Sequence, residues 1–290
     1  MPVSFGIKTS QMGLGYEEIQ RVWLEADEIP EFEHAWLWDH LIPLRGDADV
    51  AALEAWTLLA ALAAQTRRLK VGVIVTSNRI RPPAVLAKMA ATVDQIAGGR
   101  LVFGIGAGGA RNPDPAVNAI VEREYGAYGL EVVSLPAAIA ALGESLAICK
   151  RLWTEPAPFD FDGTHYTLRG AICEPKPVQQ PGPPVLIGAG GERLSLRLVA
   201  EHADVWNCPD PRQLSHKRAV LDEHCAAVGR DPAEIATQVQ VLVRPDDVDG
   251  ARRQVAELVD AGVDQVVLAP IPPWPTSPAR WLAEEIVRTV

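Results

Sequence analysis

The chain has 290 residues, of which 48% are hydrophobic and 22% charged, so it can form a full core and intrinsic disorder is not expected. Asp and Glu (37) outnumber Lys and Arg (27), and the formal charge of −10 argues against nucleic acid and anionic membranes as general partners. The longest nearly apolar stretch, 55–64, is too short to span a bilayer, and the first residues do not resemble a signal peptide. We therefore expect a cytoplasmic protein.

Metal chemistry and reactive thiols are not expected from the cysteine and histidine patterns. The sequence contains neither a CxxC pair nor an HExxH motif, so the usual ligand spacings for zinc are absent. A lone cysteine in such a chain is most often a packing residue. The four cysteines are Cys149, Cys173, Cys208 and Cys225.

The first third of the chain alternates short apolar runs with helical periodicity. Residues 69–76 (LKVGVIVT) form a continuous apolar run, which is typical of a parallel strand buried on both faces. Pro82 and Pro83 favour a helix start and Gly98-Gly99 a helix end. The predicted strands are 3–8, 34–38, 69–76 and 100–105, and the predicted helices are 16–29, 53–65 and 82–96.

The alternation stops between residues 106 and 184. This segment is predicted to contain one helix around 137–153 and a β-hairpin at 159–168, where Asp162-Gly163 is a strong turn signal. No helix is expected directly after Gly109, because prolines at 113 and 115 interrupt the sequence. We interpret 106–184 as an insertion, helix plus β-hairpin, between strands 4 and 5 of one domain that covers 1–290.

Strand–helix pairs resume after residue 184 and give about eight units in total. That number in a chain of this length predicts an α/β fold, a (β/α)₈ TIM barrel, and the main alternative is an open doubly wound sheet. The predicted strands are 185–188, 204–207, 236–243 and 265–269, and the predicted helices are 192–202, 211–228, 248–261 and 278–287.

Reacting residues of such a barrel belong at the carboxyl ends of the strands. Strand two ends in Asp39-His40, and a histidine there is a candidate proton carrier, although an Asp-His pair is also common in surface loops. We predict His40 and Asp39 as catalytic residues. Asn78, Trp206 and Trp274 lie in or near strand ends and are predicted to contact the substrate.

Two glycine-rich strand ends are candidate cofactor sites. Gly188, Gly190 and Gly191 precede a predicted helix, so free backbone N–H groups there can bind a phosphate, although a tight turn also needs glycine. The run from Gly104 to Gly109 matches a dinucleotide fingerprint in form, but it follows three complete strand–helix units. We expect its glycines, including Gly106 and Gly108, to let a flat ring approach the backbone.

These strand ends, taken in order, resemble the luciferase-like monooxygenase superfamily, in particular its actinobacterial branch that uses the deazaflavin F420. The likeness covers nearly the whole chain. The motifs that carry it are Trp38-Asp39-His40, Gly72-x-x-Val75-Thr76, Arg81-x-Pro83, Gly98-Gly99-Arg100-Leu101, Gly104-Ile-Gly106-Ala-Gly108, Leu152-Trp153-Thr154, Pro175-Lys-Pro177 and Ile187-Gly-Ala-Gly-Gly-Glu192.

The resemblance implies a barrel that is usually a homodimer, with the ring of F420, or alternatively FMN, in the mouth. It also implies a non-proline cis peptide behind the ring, which we expect at Ile74–Val75. The predicted cofactor contacts are Asp39, Ile74, Val75, Thr76, Gly106, Gly108, Asn112, Ala189, Gly190, Gly191 and Glu192.

Three functions follow from these observations. The first is an F420-dependent oxidoreductase that acts on a small organic carbonyl, alcohol or activated double bond. The others are an FMN-dependent monooxygenase and a non-catalytic protein that binds flavin or deazaflavin. Sugar-phosphate oxidation is not expected, because relatives with that activity have an acid where this chain has Gly109, and an aromatic residue where it has Leu44.

Overall fold

Eight parallel strand positions close into a barrel in the computed structural model of the protein, which describes residues 3–44 and 49–290. Hydrogen bonds between the third and fourth positions complete the ring. The barrel strands are β1 (Ser4–Lys8), β2 (Phe32–Leu37), β3 (Lys70–Val73) with β4 (Thr76–Ser77), β5 (Leu101–Gly106), β8 (Val185–Gly188), β9 (Val205–Cys208), β10 (Ala236–Val243) and β11 (Gln265–Pro270); β6 (Phe159–Asp162) and β7 (Thr167–Ala171) lie outside it. The predicted TIM barrel is confirmed.

Helices surround the barrel, and their ends follow the local sequence signals. Helix α3 has Pro83 in its first turn and ends at Gly98, whose φ of 62° is the left-handed conformation that favours glycine. No helix in residues 3–44 and 49–290 combines the length and apolar character needed to cross a membrane. The helices are α1 (Tyr16–Glu28), α2 (Ala55–Ala63), α3 (Pro83–Ala97), α4 (Pro115–Ala127), α5 (Leu135–Thr154), α6 (Ser195–His202), α7 (Leu214–Val228), α8 (Val248–Asp260) and α9 (Pro278–Glu285).

Between β5 and β8 the chain forms two helices, α4 and α5, and the antiparallel hairpin of β6 and β7. The sequence predicted the hairpin and the second helix, and no helix follows Gly109 directly, as expected, but α4, which begins six residues later, was not predicted. Pro115 is the first residue of α4, and the Asp114 side chain accepts a hydrogen bond from the Ala116 amide at 2.8 Å. The proline therefore starts a helix, because its missing N–H needs no partner in the first turn.

The third barrel strand is split where the sequence predicts one continuous strand. β3 ends at Val73 and β4 begins at Thr76, and the Ile74–Val75 peptide bond between them is cis, as expected. Val75 is half-buried. A Cβ atom added to Gly106 or to Gly188 would lie only 2.8 or 3.0 Å, respectively, from a Val75 methyl group. The two glycines therefore make room for the Val75 side chain inside the carboxyl end of the barrel.

A chain of polar side chains runs through the barrel interior. Lys8 Nζ donates to Gln240 Oε1 (2.6 Å), and Gln240 Nε2 donates to Asn207 Oδ1 (3.2 Å). Asn207 Nδ2 donates to Gln238 Oε1 (3.2 Å), and Gln238 Nε2 donates to Gln265 Oε1 (2.8 Å). Each amide accepts from one neighbour and donates to the next, so the buried polar groups are satisfied without a carboxylate.

Candidate active site

A cavity of about 460 Å³, the mouth cavity, opens at the carboxyl ends of the barrel strands. Strands β1, β2, β5 and β10, the split third strand and helix α4 contribute to its wall. The cavity lies where TIM-barrel enzymes usually have their active site. Predicted site residues in its lining are Asp39, His40, Ile74, Val75, Thr76, Gly106 and Gly108.

Helix α4 places a carboxylate against His40. The Nδ1 atom of His40 lies 3.0 Å from Glu124 Oε2 and 3.2 Å from Oε1, while the Leu41 amide donates to Oε1 at 2.6 Å. Glu124 is 3% exposed, whereas the His40 side chain is 34% exposed. A carboxylate accepts a hydrogen bond from Nδ1–H, so this contact holds the tautomer in which Nε2 can accept a proton.

Asp39 is held in an ion pair with Arg81. Its Oδ2 accepts from Arg81 Nη1 at 2.8 Å and from the Ser77 amide at 2.9 Å, and its Oδ1 accepts from Arg81 Nη2 at 3.0 Å. Arg81 also contacts Glu54, the residue that caps α2. A carboxylate in a two-point contact with a guanidinium is held in one orientation. The geometry thus gives Asp39 a role in fixing strand ends, and its predicted catalytic role stays a prediction.

Tyr125 occupies the space beside Gly109. The φ of Gly109 is 54°, and a Cβ there would lie 2.4 Å from Tyr125 Cε1. The Tyr125 hydroxyl hydrogen-bonds Ser77, and burial raises the pKa of Tyr125 to about 12. A longer side chain at position 109 is therefore excluded, and Glu124 on α4 places a carboxylate in the mouth cavity beside His40.

Gly106 and Gly108 line the mouth cavity and are also required by packing. A Cβ at Gly106 would lie 2.8 Å from a Val75 methyl group, and one at Gly108 would lie 1.9 Å from Ser77 Oγ. Close packing of the protein's own side chains thus accounts for both glycines, and their predicted role in admitting a ring stays a prediction.

The loop after β8 presents free backbone N–H groups. Helix α6 begins at Ser195, later than the predicted Glu192, and the amides of Gly190, Gly191 and Glu192 donate to no residue in the described ranges. Gly190 and Lys217 line a separate hollow of about 160 Å³. Consecutive unpaired amides are suited to an anion such as phosphate.

The Glu192 side chain turns to the surface side of this loop. Its Oε1 lies 3.0 Å from His216 Nε2 and also contacts Lys217, and these two hydrogen bonds lower the pKa of Glu192. A carboxylate occupied in this way does not contact the mouth cavity, so only its backbone amide fits the predicted contact with the cofactor.

Four other predicted site residues lie outside the mouth cavity. The exposed Asn112 uses Oδ1 to accept from the Asp114 amide at 2.9 Å, and Asn78 is buried with its Nδ2 3.5 Å from Tyr166 Oη. Trp206 is fully buried in the core, and its Nε1 donates to the Ala189 carbonyl at 2.8 Å. Trp274 packs against the same core. Local capping and core packing therefore account for Asn112, Trp206 and Trp274.

Sequence reasoning missed Lys8, which lines the mouth cavity at the end of β1. Its Nζ lies 4.9 Å from the centroid of the Trp38 ring, and burial lowers the pKa of Lys8 to about 8. The signal was available, because Lys8 ends a predicted strand as Asp39-His40 does, but a lone lysine there is easily interpreted as solvated.

Comparisons with known proteins identify the family of the chain. The family model described as luciferase-like monooxygenase matches residues 4–281. A phthiodiolone/phenolphthiodiolone dimycocerosates ketoreductase from Mycobacterium sp. (strain JLS) is 32% identical over 69% of this chain and 51% of its own length. An F420-dependent glucose-6-phosphate dehydrogenase from Microbacterium testaceum (strain StLB037) is 30% identical over 85% of this chain and 70% of its own length.

The chain spans about half the length of that ketoreductase, and pyrimidine monooxygenases are also among its relatives. A solved F420-dependent secondary alcohol dehydrogenase, in complex with an F420–acetone adduct, superposes with a TM-score of 0.84 at 19% identity, covering 99% of this chain and 98% of the other. That likeness shows the shared fold. The relatives are oxidoreductases or monooxygenases, which supports an enzyme.

Proposed function

The chain belongs to the luciferase-like monooxygenase family, and from this premise we propose that it transfers a hydride between F420 and a small organic carbonyl, alcohol or activated double bond. The observation that carries the proposal is the contact of His40 Nδ1 with Glu124 at 3.0 Å, on the wall of the same cavity as Val75. It supplies an oriented proton acceptor at the place where a hydride donor and its substrate would meet.

The residues present fit a flat ring with an anionic tail. Ile74, Val75 and Thr76 offer the ring an apolar surface at the split strand, and the free amides of Gly190 and Gly191 offer donors to the tail. F420, when bound, supplies a ring that accepts or gives up a hydride. These residues have only to bind it and to keep its reactive edge against the substrate.

His40 handles the proton that accompanies the hydride. With Nδ1–H directed at Glu124, the Nε2 lone pair is available to take the hydroxyl proton of an alcohol, or as Nε2–H to give one to a carbonyl oxygen. Glu124 holds the ring in position, since its carboxylate accepts a hydrogen bond from Nδ1–H at 3.0 Å. Asp39 and Arg81 hold the end of the split strand beside His40.

An FMN-dependent monooxygenase is the second candidate, favoured by the pyrimidine monooxygenases among the relatives. Both cofactors have a tricyclic ring and a phosphate, so the loop at Gly190 suits either.

The homodimer and the cytoplasmic location stay predictions, and light scattering after gel filtration tests the former.

Titration of the purified protein with F420 and with FMN, followed by absorption and fluorescence, tests the proposal. We expect saturable binding of F420 and turnover of F420 with an alcohol or ketone, with turnover lost in His40→Ala while F420 still binds. Binding of FMN alone, with oxygen consumed by the reduced flavin, would establish the second candidate. Full turnover by His40→Ala contradicts the role of His40.

A further inference from the structure

Lys8 is fixed against the wall of the mouth cavity. It ends β1, donates to Gln240 Oε1 at 2.6 Å, and lies over the Trp38 ring at 4.9 Å from its centroid. His40 is a second neighbour of Trp38, and its ring centroid is 5.6 Å from that of Trp38 in an edge-to-face arrangement. The ammonium and the imidazole thus contact the same indole ring and line the same cavity.

The charge of Lys8 has no counterion in the described part of the chain. Asp39 is paired with Arg81 and Glu124 with His40, whereas no carboxylate in residues 3–44 or 49–290 lies within 4.0 Å of Lys8 Nζ. Its hydrogen-bond acceptor is a neutral amide. A half-buried ammonium without a counterion is costly to desolvate, and the lowered pKa of Lys8 reflects this burial.

The chain of amides prevents Gln240 from turning away to leave room for another partner. Its Nε2 is committed to Asn207 at 3.2 Å, and Asn207 is committed in turn to Gln238. Each oxygen along the chain points to the neighbour nearer the mouth, so the amide dipoles stabilise the Lys8 cation without cancelling its net charge. The cation is therefore oriented and remains uncompensated.

We propose that Lys8 binds a carboxylate, or an equivalent anionic oxygen, on the substrate, so that the enzyme acts on small hydroxy or keto acids. This inference rests on the proposed function, because it places the reacting carbon at His40. The carboxylate would displace solvent from Lys8 Nζ and form a charge-assisted hydrogen bond on a site that the protein has already ordered. A neutral alcohol or ketone would leave the charge unpaired.

Two probes that differ in one group test the inference: 4-oxopentanoate and 2-pentanone have the same carbon chain and ketone, and only the first has a carboxylate. Ligand-observed NMR at pH 7 measures their affinities for the protein with and without F420. We expect 4-oxopentanoate to bind at least about tenfold more tightly, which corresponds to about 1.4 kcal/mol. We expect Lys8→Met and Lys8→Gln to bring the two affinities together.

Lys70→Met is the matched control. It removes the same charge from an exposed residue at the opposite end of the barrel, the start of β3, and should keep the preference. Raising the pH of the unmodified protein to about 9.5 should reduce the preference without any substitution, which guards against misfolded variants.

Equal affinities for the two probes, or a preference that survives Lys8→Met, would overturn the inference. The inference is also overturned if Lys8→Met weakens F420 binding and leaves the affinities of both probes unchanged, because the charge of Lys8 then binds the cofactor. Failure of the proposed function is separate: it shows as absent F420 binding, while the carboxylate preference of the protein without cofactor still reports on Lys8.

Discussion

Two walls of the mouth cavity handle charge in opposite ways. The paired wall, formed by Asp39 and His40 with their partners Arg81 and Glu124, compensates each charge inside the protein. The amide wall, formed by Lys8, Gln240 and Asn207, holds one cation with neutral groups. Charges paired within the chain can fix geometry before any ligand arrives, whereas an uncompensated charge leaves binding energy to be gained from a ligand. The difference separates the positioning side of the site from the recognition side.

The largest effect is expected from breaking the central ion pair of the paired wall. Arg81→Met leaves Asp39, which is 4% exposed, buried without its counterion. We expect the free energy of unfolding to fall by about 3–5 kcal/mol in urea titrations, because an unpaired buried carboxylate is strongly destabilising. Arg197→Met, which removes a solvent-exposed partner of Glu201, should change it by less than about 0.5 kcal/mol. Similar losses in both variants would contradict this interpretation.

Removing the charge of Glu124 should impair turnover more than binding. In Glu124→Gln we expect kcat to fall on the order of 100-fold, with KM and F420 affinity nearly unchanged, because the carboxylate that fixes the tautomer of His40 is lost. Nitrogen-15 NMR of the imidazole should show that the variant no longer favours the tautomer with the proton on Nδ1.

Glu122→Gln is the control for Glu124, because Glu122 is exposed on the same helix and contacts only the nearby Asn118 at 2.8 Å among the described residues. It should leave both kcat and the tautomer unchanged. An unchanged tautomer in Glu124→Gln would mean that Glu124 does not orient His40.

The loop at Gly190 offers an isosteric comparison for tail binding. A Cβ at Gly190 would lie 2.9 Å from Pro209 Cγ, so Gly190→Asn and Gly190→Asp share the same steric effect. The aspartate adds a negative charge where the phosphate would lie, and we expect F420 affinity about tenfold lower than in the asparagine variant. Fluorescence titration measures both, and equal affinities would remove this loop from the cofactor site.

The titration of Lys8 tests the amide wall directly. Its pKa is lowered from 10.5 to about 8 by burial, so between these pH values the unfolded chain binds more protons than the folded one. The free energy of unfolding should therefore receive a contribution that rises with pH from about 8 to 10.5. Lys8→Met should abolish this contribution, and Lys70→Met should retain it. A pH profile shared by all three proteins would contradict a desolvated Lys8.

The barrel could be predicted from sequence because each strand end and helix start has its own local signal. The apolar run at 69–76 and the prolines at 82 and 83 give the third strand and the helix after it, and His40 and Val75 follow from their places at strand ends. Parallel strands are buried on both faces, so their sequences remain continuous apolar runs that are easy to recognise.

The contacts across the mouth could not be predicted in the same way. Glu124 meets His40 across 84 positions of sequence, through a helix whose Asp114-Pro115 start was interpreted as an interruption. Trp206 shows the opposite error: a tryptophan near a strand end suggests a pocket, but tertiary packing buries it. Local patterns determine which elements form, whereas side-chain pairs that are distant in sequence depend on the packing of the whole barrel.

The amide chain along the barrel axis has a consequence for how this sequence can change. Each amide in the middle of the chain donates one hydrogen bond and accepts one. The hydrogen bonds that link Lys8 to Gln265 therefore all run in the same direction. Turning one amide alone would set donor against donor on one side and acceptor against acceptor on the other. A single leucine in place of Gln238 would remove the side-chain acceptor of Asn207 Nδ2 and the donor to Gln265 Oε1 at the same time. The barrel centre is therefore expected to accept coordinated sets of substitutions more readily than single ones.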